Sequence, residues 1–389
     1  MSTDIGVLFP DIQLFVLRTL KATSLYGSDE TFLFIIAQCS PLFPTITVYS
    51  TGSGSGPYSV AAVDVNGDNK PDIIVSNYGA NNVGVLLNSG TGTFPTQTTY
   101  FTGSGATPTN MAVIDVNSDS RPDIIVSNYG ASNVGVLLNS GVGTFPAQTT
   151  YSTGTAVYGL AVVDINSDNK PDIIVANYGT STVGVLLNSG FGTFPTITNY
   201  GAGGASGTYT VAAVDVNSDG KPDIIAGFYT TNNICVFINS GTGTFPTVTT
   251  YSIGSSPYHL VVVDVNSNSQ PDIIVVNSAG NNIAVLLNSG VGTFPTITSY
   301  FSGSSAYKLA VADVNSDSKP DIIVSNYGAN NVGVLFNSGT GTFPTQMTYS
   351  TGTGSAPYSV TPVDVNNDNK PDIIVSNYGT NTVGVLLRC

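Results

Sequence analysis

The chain has no tryptophan, one histidine, three cysteines and a single glutamate, Glu30. Only 9% of its 389 residues are charged, against roughly a quarter in an ordinary soluble domain. One His and one Glu leave no parts for a Ser-His-Asp set or a paired-carboxylate glycosidase site. The expectation is therefore a protein that is not an enzyme. Ten basic residues against 24 acidic ones give a net charge of -14, and with no basic surface to neutralise phosphate, nucleic acid is excluded as a partner. No apolar run reaches the ~20 residues of a membrane-spanning helix, so no membrane insertion is expected. The Gly-x-Gly segments lead into strands rather than helices, which removes a phosphate-cradling loop. Three cysteines fix no redox compartment. Cys235 stands where most copies of the repeat described next have Gly, and reads as a lone packed thiol.

What the chain does have is one motif seven times. Asp-x-Asn-x-Asp/Asn-x-x-Pro-Asp begins at Asp64, Asp115, Asp164, Asp215, Asp264, Asp313 and Asp364, always 49 or 51 residues apart. Oxygen-bearing side chains fall at positions 1, 3, 5 and 9, and the carbonyl of position 7 adds another. The seven sets are Asp64, Asn66, Asp68, Lys70 and Asp72; Asp115, Asn117, Asp119, Arg121 and Asp123; Asp164, Asn166, Asp168, Lys170 and Asp172; Asp215, Asn217, Asp219, Lys221 and Asp223; Asp264, Asn266, Asn268, Gln270 and Asp272; Asp313, Asn315, Asp317, Lys319 and Asp321; and Asp364, Asn366, Asp368, Lys370 and Asp372. Alternating oxygens on a tight loop suit Ca²⁺, which takes about 6–8 oxygen ligands at roughly 2.3–2.6 Å. Position 7 would offer only its backbone carbonyl, so a basic side chain there can point to solvent. Asp4, Asp11, Asp29 and Glu30 precede the repeats, and the other 20 acids all lie at positions 1, 5 or 9. Turn formation alone would also use Asp and Asn, but it would accept Ser or Gly and would not concentrate the acids so completely.

A period near 50 with four Val/Ile-rich runs per unit indicates a propeller of four-stranded antiparallel blades. In the first unit the runs are 58–64, 72–77, 83–88 and 94–100. Seven Phe-Pro strand starts (Phe43, Phe94, Phe145, Phe194, Phe245, Phe294, Phe343) accompany the seven loops. The first precedes the first loop, and none follows the last. The expected fold is an all-β, seven-bladed ring closed by strand 43–50 joining the C-terminal blade, as a monomer. Residues 1–42 form a non-repeat leader and 43–389 the propeller. In the leader, Phe32–Ala37 reads either as a signal-like core with the wrong acidic flank or as an extra strand. Cys39 and Cys389 would meet at the closure, as a disulfide clasp or as two unrelated thiols.

The strings Asp-Val-Asn-x-Asp-x-x-Pro-Asp-Ile-Ile-Val, Asn-Tyr-Gly and Asn-Val-Gly-Val-Leu-Leu-Asn-Ser-Gly-x-Gly-Thr-Phe resemble the FG-GAP/VCBS-type repeat, found in the propeller of integrin α subunits. The resemblance spans 43–389. It implies Ca²⁺ in up to seven loops, ligand binding by the opposite face, and an extracellular, adhesion-type role. The literal Phe-Gly and Gly-Ala-Pro signatures are absent, position 3 is always Asn, and position 6 is Gly only at Gly220. Affinity should be modest, about 10⁻⁴–10⁻³ M, and weakest in the fifth loop, where Asn268 has removed one charge.

Variation between the copies marks candidate ligand residues. Tyr58, Tyr158, Tyr209 and Tyr258 begin innermost strands at the channel mouth, with His259 and Lys308 nearby; blades four and five differ most, and an asymmetric site is expected between blades four, five and six. Tyr78, Tyr129, Tyr178, Tyr229, Tyr327 and Tyr378 sit on turns of the same face. Exposed Tyr is a good binding surface, but packing between blades would place Tyr here too. The fourth-strand tyrosines, such as Tyr49 and Tyr100, read as packing. The functional expectation is a protein-binding adhesion module. A multivalent lectin is the alternative, since equal blades would gain avidity on repeated sugars.

Overall fold

The computed structural model describes residues 18–21, 31–34 and 41–389, the first two spans as backbone only. Seven four-stranded antiparallel sheets form the ring, and Arg18–Lys21 pairs with Thr31–Phe34 in a separate two-stranded sheet. The part of the signal-like run at 35–37 lies outside the described residues, as does Cys39. Among the described residues no helix is long and apolar enough to cross a membrane.

Each blade grows outward from the channel. The first has strands Pro57–Val63, Asp72–Asn77, Asn82–Leu86 and Gln97–Phe101. The second strand, Asp-Ile-Ile-Val-Ser-Asn, is buried at every position. Its β-branched residues cover both faces because a neighbouring blade packs against each one. The core accordingly lies between blades: Val60, Ile73, Val75 and Phe94 of the first blade cluster with Val365, Ile374 and Val385 of the last. Cys235 is a free, buried thiol, 3.4 Å from Thr250 Oγ1.

Ring closure follows the count of pieces. Ile46–Ser50 pairs antiparallel with the last strand, Ile46 opposite Leu386 and Ser50 opposite Thr382. Cys389 N donates to Leu42 O at 3.1 Å, and the Cys389 side chain is disulfide-bonded.

The fourth strand starts later than its Phe-Pro signal. Gln97 opens it in the first blade, because Pro95 has no N–H to donate and Phe94 is withdrawn into the seam, 1% exposed. There Tyr49 meets Phe94 edge-on at 5.4 Å and donates its hydroxyl to Gly92 O at 3.2 Å. The fourth-strand tyrosines are therefore inter-blade packing, as read from the repeats.

Candidate functional site

The seven acidic loops share one geometry on the lower face. Asp64 Oδ1 accepts N–H bonds from Asn66 (3.1 Å), Gly67 (2.7 Å) and Asp68 (3.3 Å), while Oδ2 accepts from Asn69 at 2.7 Å. Asn66 Oδ1 takes Asp68 N, and Asp68 Oδ1 takes Lys70 N. Position 6 is left-handed in every loop, with Asn69 at φ 62°, Ser120 at 66° and Ser318 at 64°. Position 4 is left-handed as well, at Gly67, Ser118, Ser167, Ser218, Ser267, Ser316 and Asn367, a feature the motif does not advertise. The basic residue at position 7 stays partly exposed while leaning over its own loop: Lys70 Nζ is 3.6 Å from the Asp68 carboxylate, and Arg121, Lys170, Lys221 and Lys319 are placed similarly.

The ninth position works differently. Asp72 is fully buried; its Oδ2 accepts Val65 N at 3.0 Å and its Oδ1 accepts Asn88 N at 2.8 Å. Asn88 Nδ2 then donates to Val365 O in the last blade at 2.9 Å. The carboxylate thus ties its own loop, its third strand and, through Asn88, the neighbouring blade. Burial pushes this carboxyl up, to about 6 in Asp172, Asp223, Asp321 and Asp372, against the opposing pull of the two backbone N–H bonds. Among the described residues no group of three or more His, Cys, Asp or Glu side chains is arranged to hold a metal ion.

On the opposite face a β-bulge sets the channel. The register of each innermost strand shifts just after its first residue, between Pro57 and Ser59 in the first blade. A bulge re-aims the side chain it carries, and here it turns the tyrosines onto the axis. Tyr58 OH bonds Tyr158 OH at 2.6 Å, Tyr258 OH at 3.1 Å and Tyr209 OH at 3.3 Å, and also contacts Tyr358 OH. Five phenols from five blades therefore close the channel. Burial and their mutual proximity push Tyr58 and Tyr209 well above the usual phenol range. In the second blade the tyrosine is replaced by Thr109, whose hydroxyl donates to Tyr158 O at 3.0 Å.

The turn tyrosines stand over this closure. Tyr78 stacks on Tyr58 at 5.6 Å, Tyr327 packs on Tyr307 at 4.8 Å, and Tyr229 on Tyr209 at 5.4 Å. Tyr129 meets Tyr158 edge-on, Tyr178 meets Tyr209, and Tyr378 lies beside Tyr358. A bowl of about 220 Å³ results, lined by Tyr58, Tyr78, Tyr158, Tyr258, Tyr307, Tyr327, Tyr358 and Tyr378. The two readings of these tyrosines divide accordingly: Tyr58 and Tyr209 are buried closure, while Tyr78, Tyr327 and Tyr378 are half-buried walls.

His259 and Lys308 are not at the mouth. Both lie beneath the closure, because the residue after each tyrosine points down the channel. Lys308 Nζ crosses the axis to Ser59 Oγ and Asn110 Oδ1, each at 3.0 Å, and lies 5.8 Å from the Tyr58 ring centroid. His259 Nδ1 accepts Leu309 N at 3.5 Å. Burial lowers Lys308 to about 7; burial, with Lys308 adding, lowers His259 to about 3. A cavity of about 300 Å³ adjoins them. Ser59, Asn110 and Ser359, which line it, were readable only as variable positions at the strand starts.

Known proteins bear on both fold and activity. No curated protein matches the chain. Among solved structures, streptogramin B lyase has a TM-score of 0.65 at 17% identity, covering 90% of this chain and all of its own. BBS1N in complex with ARL6DN gives 0.61 at 12%, covering 89% and 97%. An Agrocybe aegerita lectin that recognises non-reducing terminal N-acetylglucosamine gives 0.55 at 20%, covering 85% and 94%. Identities this low show a shared fold. The expectation that the chain is not an enzyme is nevertheless corrected: lyases, including virginiamycin B lyase of Staphylococcus aureus, are built on this fold, so scarcity of His and Glu does not exclude catalysis. The family is settled by the repeats themselves. The FG-GAP-like repeat model matches residues 64–126, 115–175, 164–226, 215–275, 264–324 and 313–375, and the chain belongs to the FG-GAP-like repeat family.

Proposed function

We propose that this propeller is an extracellular, calcium-stabilised binding module that holds a protein partner on the face opposite the acidic loops. The observation that supports this most is the tyrosine bowl, concave, aromatic and without a charged residue in its lining. Such a surface gives flat apolar area and hydroxyl donors at low entropic cost. It fits an inserted apolar side chain, with the surrounding turns meeting the rest of the partner. The bowl is a single site on the ring axis, whereas a multivalent lectin would draw its avidity from equal sites on the blades. A single terminal sugar is the second reading, favoured by the bowl's small volume and hydroxyl-rich lining.

Calcium belongs to the same proposal. In the first loop the donors would be the side chains of Asp64, Asn66 and Asp68 with the Lys70 carbonyl, and the equivalent sets elsewhere, while Asp72, whose two oxygens already accept Val65 N and Asn88 N, braces the loop from behind. An all-oxygen set with up to two carboxylates suits a hard divalent cation, and the left-handed sixth position allows the turn such a loop needs. The ion would neutralise the carboxylates and hold the loop ordered.

The experiment is binding to a combined array of matrix proteins and glycans, with Ca²⁺ and with chelator. Signal on proteins, reduced about tenfold or more by Tyr78→Ala or Tyr327→Ala at unchanged thermal midpoint, supports the reading. Signal confined to glycans replaces the protein partner with a sugar, and signal indifferent to both substitutions removes the bowl.

A further inference from the structure

The tyrosine closure divides the channel, and the lower part holds a lysine amine with no counter-ion beside it. A gap of only about 10 Å³ separates the phenols from the Lys308 layer, room for about one water. Lys308 is 7% exposed, and its two hydrogen-bond partners, Ser59 and Asn110, are neutral. Among the described residues the ion pairs are those of the loops, and none includes Lys308. An ammonium buried without an anion is far more costly than a neutral amine. The chamber next to it, about 300 Å³, is at the small end of ligand sites. Val60, Val261, Leu309 and Val360 form apolar walls, the polar groups gather around Lys308, and no carboxylate lines the space. The innermost strands become partly exposed over their last three residues, which gives entry from the loop face.

We propose that this chamber binds a small organic monoanion, a carboxylate on a compact apolar body, with Lys308 Nζ as its counter-ion. The carboxylate replaces neutral acceptors with a charged one, and the serine hydroxyls can donate to its second oxygen. One amine supplies one charge, which selects a monoanion over a dianion. The titratable groups facing Lys308 are Tyr58, Tyr158, Tyr209, Tyr258 and His259. Burial pushes Tyr58, Tyr209 and Tyr258 up and His259 down to about 3, so near neutrality these stay uncharged. Lys308, lowered to about 7, is the group that changes, and an anion beside it favours the ammonium. Binding above neutral pH therefore takes up a proton.

The test is calorimetric titration of the full chain with butyrate and with butyramide at about pH 8, in two buffers of different ionisation enthalpy. Butyrate should bind with uptake of close to one proton per anion, and butyramide about tenfold more weakly or not at all. Lys308→Met should abolish butyrate binding. Lys308→Arg should keep it without proton uptake, because the guanidinium is always charged; the two variants guard against a folding defect in either. Equal binding of acid and amide, no butyrate binding at about 10 mM, or unchanged binding by a folded Lys308→Met protein would overturn the proposal.

Discussion

Tyr349 of the sixth blade meets Phe43 edge-on, with ring centroids 5.1 Å apart. The contact repeats at every seam, from Tyr49–Phe94 to Tyr300–Phe343, so the ring is held by seven tyrosine–phenylalanine pairs. The hydroxyls of these tyrosines differ in their partners. Tyr49, Tyr100, Tyr151 and Tyr200 each donate to a glycine carbonyl of the next blade, whereas the Tyr349 hydroxyl faces Met347 Sδ at 3.8 Å. Phe43→Ala should cost about 3–5 kcal/mol, comparable with Phe94→Ala, in denaturant unfolding. A much smaller loss than at Phe94 would mean that the N-terminal strand closes the ring without sharing its cooperativity. Tyr49→Phe should cost about 1 kcal/mol through its lost hydrogen bond, and Tyr349→Phe close to nothing.

The buried amine of Lys308 predicts an alkaline gain in stability. Its folded pKa of about 7 lies below the 10.5 of a free lysine. Between those values the unfolded chain holds a proton that the folded one does not, so stability rises with pH across the window. It is fully present above the unfolded pKa and lost as pH falls through about 7. His259, at about 3 against 6.5, acts in the same sense at lower pH. Lys308→Met should remove the upper slope and raise stability at neutral pH by about 1–4 kcal/mol, as replacement of buried charge by apolar volume often does. Thermal midpoints at a series of pH values, wild type against variant, measure it. A wild-type curve flat from neutral to alkaline pH would show that Lys308 keeps its charge in the folded protein.

Much of this was legible in the residues. The blade count and the closing strand follow from where loops and Phe-Pro signals begin and end, because a ring must be completed by whichever strand the last unit lacks. The fourth-strand tyrosines were readable because one residue type at one register across all blades must serve a contact common to all seams. The channel was not readable in the same way. Whether Tyr58 faces solvent or the axis depends on the bulge after Pro57, a feature of pairing with the second strand that periodicity does not reveal. Lys308 looked like a mouth residue because adjacency to Tyr307 says nothing about a side chain that reaches across to Ser59 and Asn110 in other blades. The ninth-position carboxylates looked equivalent to the others in the motif, yet Asp72 is sealed while Asp68 is exposed.

That difference gives the loop carboxylates separable roles. Asp72→Ala leaves the buried Val65 and Asn88 N–H groups without acceptors, a loss of about 1–3 kcal/mol for each. It should destabilise the protein equally with chelator and with Ca²⁺ present. Asp68→Ala removes an exposed partner of Lys70, a pair worth about 0–1 kcal/mol, and should matter only when Ca²⁺ is supplied. Equal calcium dependence for both variants would show that the two positions act as one ligand set.

The fifth loop offers the cleanest gain-of-function test of calcium. It folds like its neighbours: Asp264 Oδ1 accepts Asn266 N and Asn268 N, Oδ2 accepts Ser269 N, and Asn268 Oδ1 accepts Gln270 N at 2.9 Å. It differs in carrying a carboxamide where the others have a carboxylate, and Gln270 where six have a basic residue. Asn268→Asp restores the charge without altering the oxygen that accepts Gln270 N, so the backbone should not move. Cation affinity in oxygen loops rises with the number of charged ligands. The substitution should therefore raise the number of ions bound at low millimolar Ca²⁺ by one and lift the thermal midpoint in Ca²⁺ but not in chelator. Without calcium it should do the reverse, adding a third carboxylate to a crowded loop with no basic side chain at position 7. Ion counting by metal analysis after equilibrium dialysis, with parallel melting curves, reads both effects. If Asn268→Asp lowers the midpoint under both conditions, the loops are turns held by their own amides and the calcium assignment fails.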